Sequence, residues 1–497
     1  MDTIIIIGAG IAGLTTGIYG RLNGFDTEIY DMHTIPGGEC TAWKRGEYTF
    51  DGCIHWLMGT KPGSSLNRLW HEVGGLDDSV RIINNDEFSR LEMDGRTAVI
   101  YRSLDKTERG LIELSPQDEK TIRRMCKDIR AMKGVDMPMD KPMDMMGALD
   151  GMKMAAKMFP AMGPMARYGK ITVPEFVSRF KDPLIRAVLS GLMPEPYTAM
   201  PLLMTLGSLD NGDSGFPEGG SLPFAMRMEK KYRSLGGKVF YGSRVDRILV
   251  ENGRAVGVRL ADGSEHQADW VISCADGYAT LNHMLQGNHT SDAIKSLYED
   301  GKTYPVYTSV QVSVGINADL SARPHILTVK PEKPLDAGGI THELVGFKNY
   351  CFDQTMVPKG KSVITVLMPA DFDWWRARKD DGAAYQTEKE RVGREVCALI
   401  EQRYPEAAGK IEQVDVATPM TYARYCDAWR GAWMSFMTTP KSKVRYLPGN
   451  LPGLDRFYMA GQWTLPPGGL PGAAMAGRWV VQRICGLYRK EFVFCMQ

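Results

Sequence analysis

The chain has 497 residues, 43% of them hydrophobic and 24% charged, a globular composition that excludes a largely disordered protein. Sixty basic against fifty-nine acidic residues leave a net charge of +1, which argues against a nucleic-acid partner, since that needs a basic footprint. Nine cysteines without a C-x-x-C pair and eight histidines without H-E-x-x-H form neither a disulfide framework nor a metal site. We therefore expect free thiols, no metal and a cytoplasmic setting.

The chain opens on T-I-I-I-I at 3–7, a β-branched run that suits a strand buried on both faces. G-A-G-I-A-G follows, with glycines at 8, 10 and 13, then a helical segment to about Leu22, a break at Asn23-Gly24, and a second strand from Thr27 to Tyr30. That strand ends in Asp31, 23 residues after Gly8. Gly8 permits the tight turn, Gly10 lets a pyrophosphate reach the backbone, and Gly13 lets the helix pack on the sheet. The helix start offers free N–H groups to phosphate. Asp31 suits ribose hydroxyls, and Met32-His33 after it supplies no arginine for a 2′-phosphate. The uncharged 18-residue window Thr3 to Gly20 approaches the length of a membrane span. Its five glycines and three threonines make it strand, turn and helix instead.

Further along, I-P-G-G at 35–38 precedes G-E-Y-T-F-D-G at 46–52. Residues 80–110 alternate apolar and polar, with a turn at Asp94-Gly95. Residues 132–165 hold eleven of the thirty methionines, and Met145, Leu149, Met152, Ala156 and Phe159 fall on one helical face. Asp150, Lys153 and Lys157 fall on another. Three readings stay open for this segment: a helix packed on the core, a lid lining a greasy tunnel, or an interfacial membrane anchor. Gly219-Gly220 precedes a helix to about Leu235. Residues 236–274 read as a β-meander with turns at Asn252-Gly253 and Asp262-Gly263. Residues 303–370 alternate again, with a turn at 337–339, and 385–403 read as a charged amphipathic helix. The C-terminal stretch 457–478 is F-Y-M-A-G-Q-W-T-L-P-P-G-G-L-P-G-A-A-M-A-G-R.

Taken together, the N-terminal fingerprint, the segment at 35–52 and the C-terminal stretch resemble the phytoene desaturase and carotenoid isomerase branch of FAD-dependent, amine-oxidase-like flavoproteins. The resemblance implies an α/β fold: a Rossmann-like FAD-binding domain assembled from 1–80, 205–285 and 440–497. The inserted α+β substrate domain would be 81–204 and 286–439, with a mixed or antiparallel sheet and 132–180 as a helical lid or membrane-contact segment. It implies FAD held by Gly8, Gly10, Ile11, Ala12, Gly13, Asp31 and Met32 at its ADP half, with Val245 against the adenine. Gly37 and Gly38 would run past the pyrophosphate or flavin, and Gly461 with Gln462 would meet the ribityl chain. Many relatives carry aspartate where Gln462 stands. Leu470, Pro471 and Ala473 would open a helix facing the flavin pyrimidine, where its dipole favours reduced-flavin charge. No cysteine or histidine follows Gly461 directly, so the FAD is expected to be non-covalent.

The same resemblance brings Cys53-Ile54-His55-Trp56 near the flavin. His55, with Trp56 beside it, is the candidate catalytic group, as acid or base near neutral pH or as a hydrogen-bonded core residue. The reading is an oxidoreductase that desaturates, saturates or isomerises carbon–carbon bonds of a long hydrophobic isoprenoid, polyene or lipid-like molecule. An amine oxidase and a prenyl-binding escort protein are the rivals on this scaffold. The electron acceptor or donor stays open, and peripheral membrane contact is expected through 137–170.

Overall fold

In the computed structural model, residues 2–136, 139–443, 447 and 449–495 are described. Met137 and Pro138 of the expected membrane-contact stretch lie outside the described residues, as do positions 444–446, 448, 496 and 497 of the C-terminal stretch. The strand Thr3–Ile7 forms the middle of a five-stranded parallel sheet. Its neighbours on one side are Trp270–Ser273 and then Phe457–Met459, and on the other Asp26–Tyr30 and then Lys238–Phe240. Ile4 to Ile7 are all buried, as a central parallel strand covered on both faces requires. The helix Ile11–Leu22 packs on this sheet between the helices Ser221–Ser234 and Gly469–Leu487.

Only the middle of the expected meander is antiparallel: Val245–Glu251, Arg254–Leu260 and Glu265–Gln267. Its two outer strands, Lys238–Phe240 and Trp270–Ser273, join the parallel sheet instead. Trp270 to Ser273 is buried at every position, which a solvent-facing hairpin strand would not allow.

A seven-stranded mixed sheet lies beside this one. Its order is Ile411–Ala417, Ser309–Ile316, Ser362–Pro369, Val345–Asn349, Ile326–Val329, Glu87–Met93, Arg96–Tyr101. One pairing in it, Ile326–Val329 with Glu87–Met93, is parallel. Residues from both sheets belong to one hydrophobic cluster, from Ile4 and Ile6 to Val310 and Val366. A second cluster lies under Leu91, Ala98 and Ile100 and is built mainly from helices between 104 and 209. The first of these, Leu104–Leu114, replaces the tail of the alternating pattern. Ser103 Oγ caps it by accepting from Lys106 N, and Leu104, Thr107 and Leu111 bury at helical spacing.

The methionine-rich segment is the helix Ala148–Tyr168, and the core reading of its apolar face is overturned. Leu149 is 68% exposed, Met152 61% and Phe159 75%. Lys153 and Lys157 of the expected polar face are exposed too, and polar contacts fix the helix at its end and along one edge. Tyr168 Oη and Arg167 both donate to Asp128 Oδ2, and Lys157 pairs with Asp136. Ala161, Pro164 and Tyr168 are the buried positions.

The two chain ends meet at one close approach. A Cβ on Gly477 would lie 2.6 Å from Ala12 O and 3.0 Å from Thr15 Cβ, so any side chain there pushes the C-terminal helix off the first one. Gly477→Val should lower the thermal midpoint, at a cost of about 1–3 kcal/mol for an overpacked contact. An unchanged melting curve would contradict this account of the helix pair.

Candidate functional site

The fingerprint loop is built by backbone crowding. A Cβ on Gly13 would sit 1.9 Å from Gly8 O, so the helix start can rest on the turn only with glycine there. Gly8 N donates to Tyr30 O at 2.8 Å, which fixes the turn over the second strand. Gly37 N donates to Ala9 O at 2.9 Å, and Gly10 bridges Gly37, lacing the 35–38 loop alongside the fingerprint. The helix Ile11–Leu22 has no side-chain cap at Gly10. Its first N–H groups are therefore left for a ligand or water.

Asp31 is committed more tightly than the sequence implied. Its two oxygens accept from Ala9 N at 2.5 Å and His33 N at 2.7 Å. Burial raises its pKa, and those two N–H groups pull it back. Each oxygen keeps a lone pair for a ribose hydroxyl. Met32 lies against Arg244, and Val245 is buried among Tyr30, Ile5 and Leu260. Ile11 and Ala12 are buried at the helix start.

The C-terminal helix starts at Gly469, earlier than Ala473, so Leu470, Pro471 and Ala473 all lie in its opening turns. Pro471 is tolerated there because the first N–H groups of a helix have no intrahelical acceptor. Gln462 is fixed at both ends of its amide. Nε2 donates to Glu39 Oε2 at 3.0 Å, and Oε1 accepts from Gly469 N at 3.3 Å. Glu39 is the residue after Gly37-Gly38. Burial raises its pKa to about 8, against the Gln462 hydrogen bond. Burial likewise raises Asp276 to about 7, although it accepts from Ala279 N and Trp429 N.

His55 and Trp56 follow a turn organised by Asp51. Asp51 accepts from Cys53 N, Ile54 N, Ser221 N and Ser221 Oγ at 2.7–3.1 Å. Gly220 starts the next helix against this carboxylate: a Cβ there would lie 2.3 Å from Asp51 Oδ2. His55 is enclosed by protein yet keeps part of its surface open, so it faces an internal cavity. Burial, and then the charge of Lys348, lower its pKa to about 3. Trp56 meets Phe88 edge-on at 5.3 Å.

Sequence reading missed Lys348, His325 and Glu39. Lys348 has no local signal: in V-G-F-K-N it falls on the face opposite Val345 and Phe347, where alternation places a polar residue outward, and it is buried because both faces of the strand are covered there. Glu39 has only its place after two glycines, and His325 has none.

A family model described as flavin containing amine oxidoreductase matches residues 11–485. The chain belongs to the flavin-containing amine oxidoreductases. Among curated relatives, it is 25% identical to a phytoene desaturase (neurosporene-forming) of Rhodobacter capsulatus, over 97% of this chain and 94% of that protein. It is 23% identical to a chloroplastic prolycopene isomerase of Daucus carota, over 98% of this chain and 81% of that one. Among solved structures, an oxidoreductase from Methanosarcina mazei superposes with TM-score 0.60 at 16% identity, covering 97% of this chain and all of that one. Cyclohexylamine oxidase from Brevibacterium oxydans gives TM-score 0.60 at 14% identity, covering 98% and 100%. These two likenesses concern the fold.

The residues fit the family's flavin. An uncapped helix start, a groove where a Cβ on Gly10 would meet nothing nearer than Gly37 O at 3.8 Å, and an acid at the end of the second strand suit a dinucleotide. Glu39 adds a titration to that groove. A carboxyl whose pKa is raised is neutral below about 8 and ionises as pH rises through it. Flavin dinucleotide affinity should therefore weaken by roughly tenfold between pH 7 and 9, as a negative charge appears beside the loop at 35–38 and opposes an anionic cofactor. Glu39→Gln should flatten most of that dependence, leaving any part due to Asp276. Titration of apoprotein with cofactor, followed by flavin fluorescence, checks this. An equally steep profile in the variant would refute it.

Proposed function

We propose that this flavoprotein binds FAD non-covalently and uses it to desaturate, saturate or isomerise carbon–carbon bonds of a long hydrophobic substrate, of the isoprenoid or polyene class. The flavin supplies the two-electron exchange. The protein supplies enclosure and position. The observation that carries the reading is the wall around His55. It combines imidazoles kept neutral by burial, His55 and His325, with Trp56, Phe88, Phe216, Tyr350 and Phe352. A buried ammonium, Lys348, stands behind it and would repel a substrate ammonium. That disfavours the amine oxidase rival, while relatives named for carotenoid desaturation and isomerisation favour the hydrophobic substrate.

Non-covalent attachment is supported by the state of two thiols near the fingerprint residues. Burial raises both Cys274 and Cys426, which keeps them as protonated, poorly nucleophilic groups. Acid or heat should release all the yellow colour from the polypeptide. In anaerobic flavin bleaching, rates or affinity should rise with chain length, at about 0.8 kcal/mol per buried methylene. His55→Ala should lower turnover by roughly 10²-fold with the flavin still bound, the cost of losing one directed hydrogen-bond donor. Rapid bleaching by a small primary amine, with none by any polyene, would replace this reading with the amine oxidase.

The exposed side of the helix Ala148–Tyr168 supports peripheral contact with a membrane as the source of such a substrate. Leu149, Met152, Ala156, Phe159 and Met162 lie within roughly 140° of arc on a helix about 31 Å long, and all are exposed. Lys153 and Lys157 flank the arc on one side, where anionic headgroups would meet them. No helix among the described residues is long and apolar enough to cross a membrane, so the contact would be interfacial. Vesicles containing anionic lipid should carry the protein upward in flotation, and Leu149→Asp with Phe159→Asp should abolish this without loss of flavin. A protein that stays at the bottom of the gradient at low salt would remove the membrane from the proposal.

A further inference from the structure

Lys348 is 7% exposed, on the strand Val345–Asn349. Its Nζ lies 3.1 Å from Ile54 O, 3.3 Å from His55 Nδ1 and 3.4 Å from His55 O. The rings of Tyr350 and Phe216 stand behind it, with centroids 4.7 and 5.3 Å from Nζ. An ammonium has three protons and no lone pair. Three acceptors within reach take all three, so the contact with Nδ1 runs one way: Lys348 donates and Nδ1 accepts.

A neutral imidazole with a bare Nδ1 carries its proton on Nε2. Among the described residues nothing hydrogen-bonds His55 Nε2, and this nitrogen is not among the buried unpaired atoms. It therefore opens to the cavity. The imidazolium is not the resting form, because burial and the lysine charge both oppose it.

We propose that Lys348 is a positioning residue that fixes His55 as its Nε2–H tautomer, so that the ring presents the cavity with a hydrogen-bond donor and not a base. The donor addresses an oxygen or nitrogen acceptor on what fills the cavity, because a donor enclosed in an aromatic wall without an acceptor forfeits the hydrogen bond it makes in water. The flavin ring carries such atoms, and so does an oxygenated lipid. The tautomer itself is read without any substrate. Only the identity of the acceptor rests on the function proposed above.

The charged and titratable groups facing Lys348 are Asp51 and Cys53, which favour its ammonium form, and His55, with Tyr350 packed over it. His325 and Arg102 lie beyond, with His325 feeling the charge of both Lys348 and Arg102. Burial lowers the Lys348 pKa to about 7. Below that pH the ammonium is the donor. Above it the neutral amine both donates and accepts, and the tautomer preference relaxes.

The test is a long-range proton–nitrogen spectrum of holoenzyme carrying nitrogen-15 histidine, with His55 assigned by its loss in His55→Gln. At pH 6 the wild type should show His55 as Nε2–H, and at pH 9 a mixture. Lys348→Met should give the mixture at pH 6, and Lys348→Arg should restore the single form. An Nδ1–H or doubly protonated His55 in the wild type overturns the proposal even if neither variant folds. So does an unchanged pattern in a folded Lys348→Met. For the acceptor, a shift of the Nε2–H proton between apoprotein and FAD-loaded protein assigns it to the cofactor. A shift only on adding retinal assigns it to an oxygenated substrate. A proton that moves with neither overturns the donor role.

Discussion

The structure depends on backbone approaching backbone where the first helix begins. The turn at Gly8, the helix start at Gly13 and the C-terminal helix at Gly477 occupy one small volume, and neither Gly13 nor Gly477 leaves space for a Cβ. The central strand, the loop at 35–38 and the last helix are ordered around that volume. It also explains why elements at opposite ends of the chain build one groove. A buried ion pair reinforces the arrangement: Arg478 on the last helix pairs with Glu72, and both reach the hydroxyl of Tyr19 on the first helix. A pair buried in this way adds little net stability but is costly to break by removing one partner, so it specifies how the three helices dock.

The groove was legible in the sequence for the same reason. Turns that tolerate only glycine, an uncharged strand and an acid at fixed spacing are local signals, and they survive without any tertiary information. The strand Thr3–Ile7, the helix to Leu22 and the breaks at 94–95, 252–253 and 338–339 follow from them. Pairing is different. The run 236–274 has strand character throughout, but which sheet each strand joins is decided by what covers it, and local alternation carries no record of that. Trp270–Ser273 went to the parallel sheet because both its faces are covered. Residues 104–110 pass for a continued alternation because a short helix with buried positions 104, 107 and 111 shares its first hydrophobic spacings with an irregular strand.

The methionine helix shows a related limit. Periodicity located an apolar face and a polar face correctly, but it does not say which one looks inward. Here neither does in full: Lys153 and Lys157 are exposed as well, and the inward side carries Ala161, Pro164 and Tyr168, where Asp128 collects Arg167, Arg124 and the hydroxyl of Tyr168. A carboxylate that is 5% exposed on a neighbouring helix holds the end of this helix by Arg167 and Tyr168, and the apolar arc is left outside. The orientation was therefore set by one carboxylate on another element, a pairing that spans forty residues of sequence.

The polar groups of the cavity were the least legible, and the reason is the medium around them. Glu39, Asp276, His55, His325 and Lys348 are ordinary residue types at unremarkable spacings. What makes them chemically unusual is enclosure, which favours the uncharged form of each: the acids rise to about 8 and 7, the imidazoles fall to about 3, and the lysine falls to about 7. All five shifts run toward neutrality, so near pH 7 Glu39, His55 and His325 are mostly uncharged while Asp276 and Lys348 stand near their midpoints. An apolar chain then meets fewer fixed ions than the residue types imply, while the remaining N–H and O–H donors still hold orientation. Residue types alone would have marked such a wall as polar; its enclosure makes it compatible with a hydrophobic occupant.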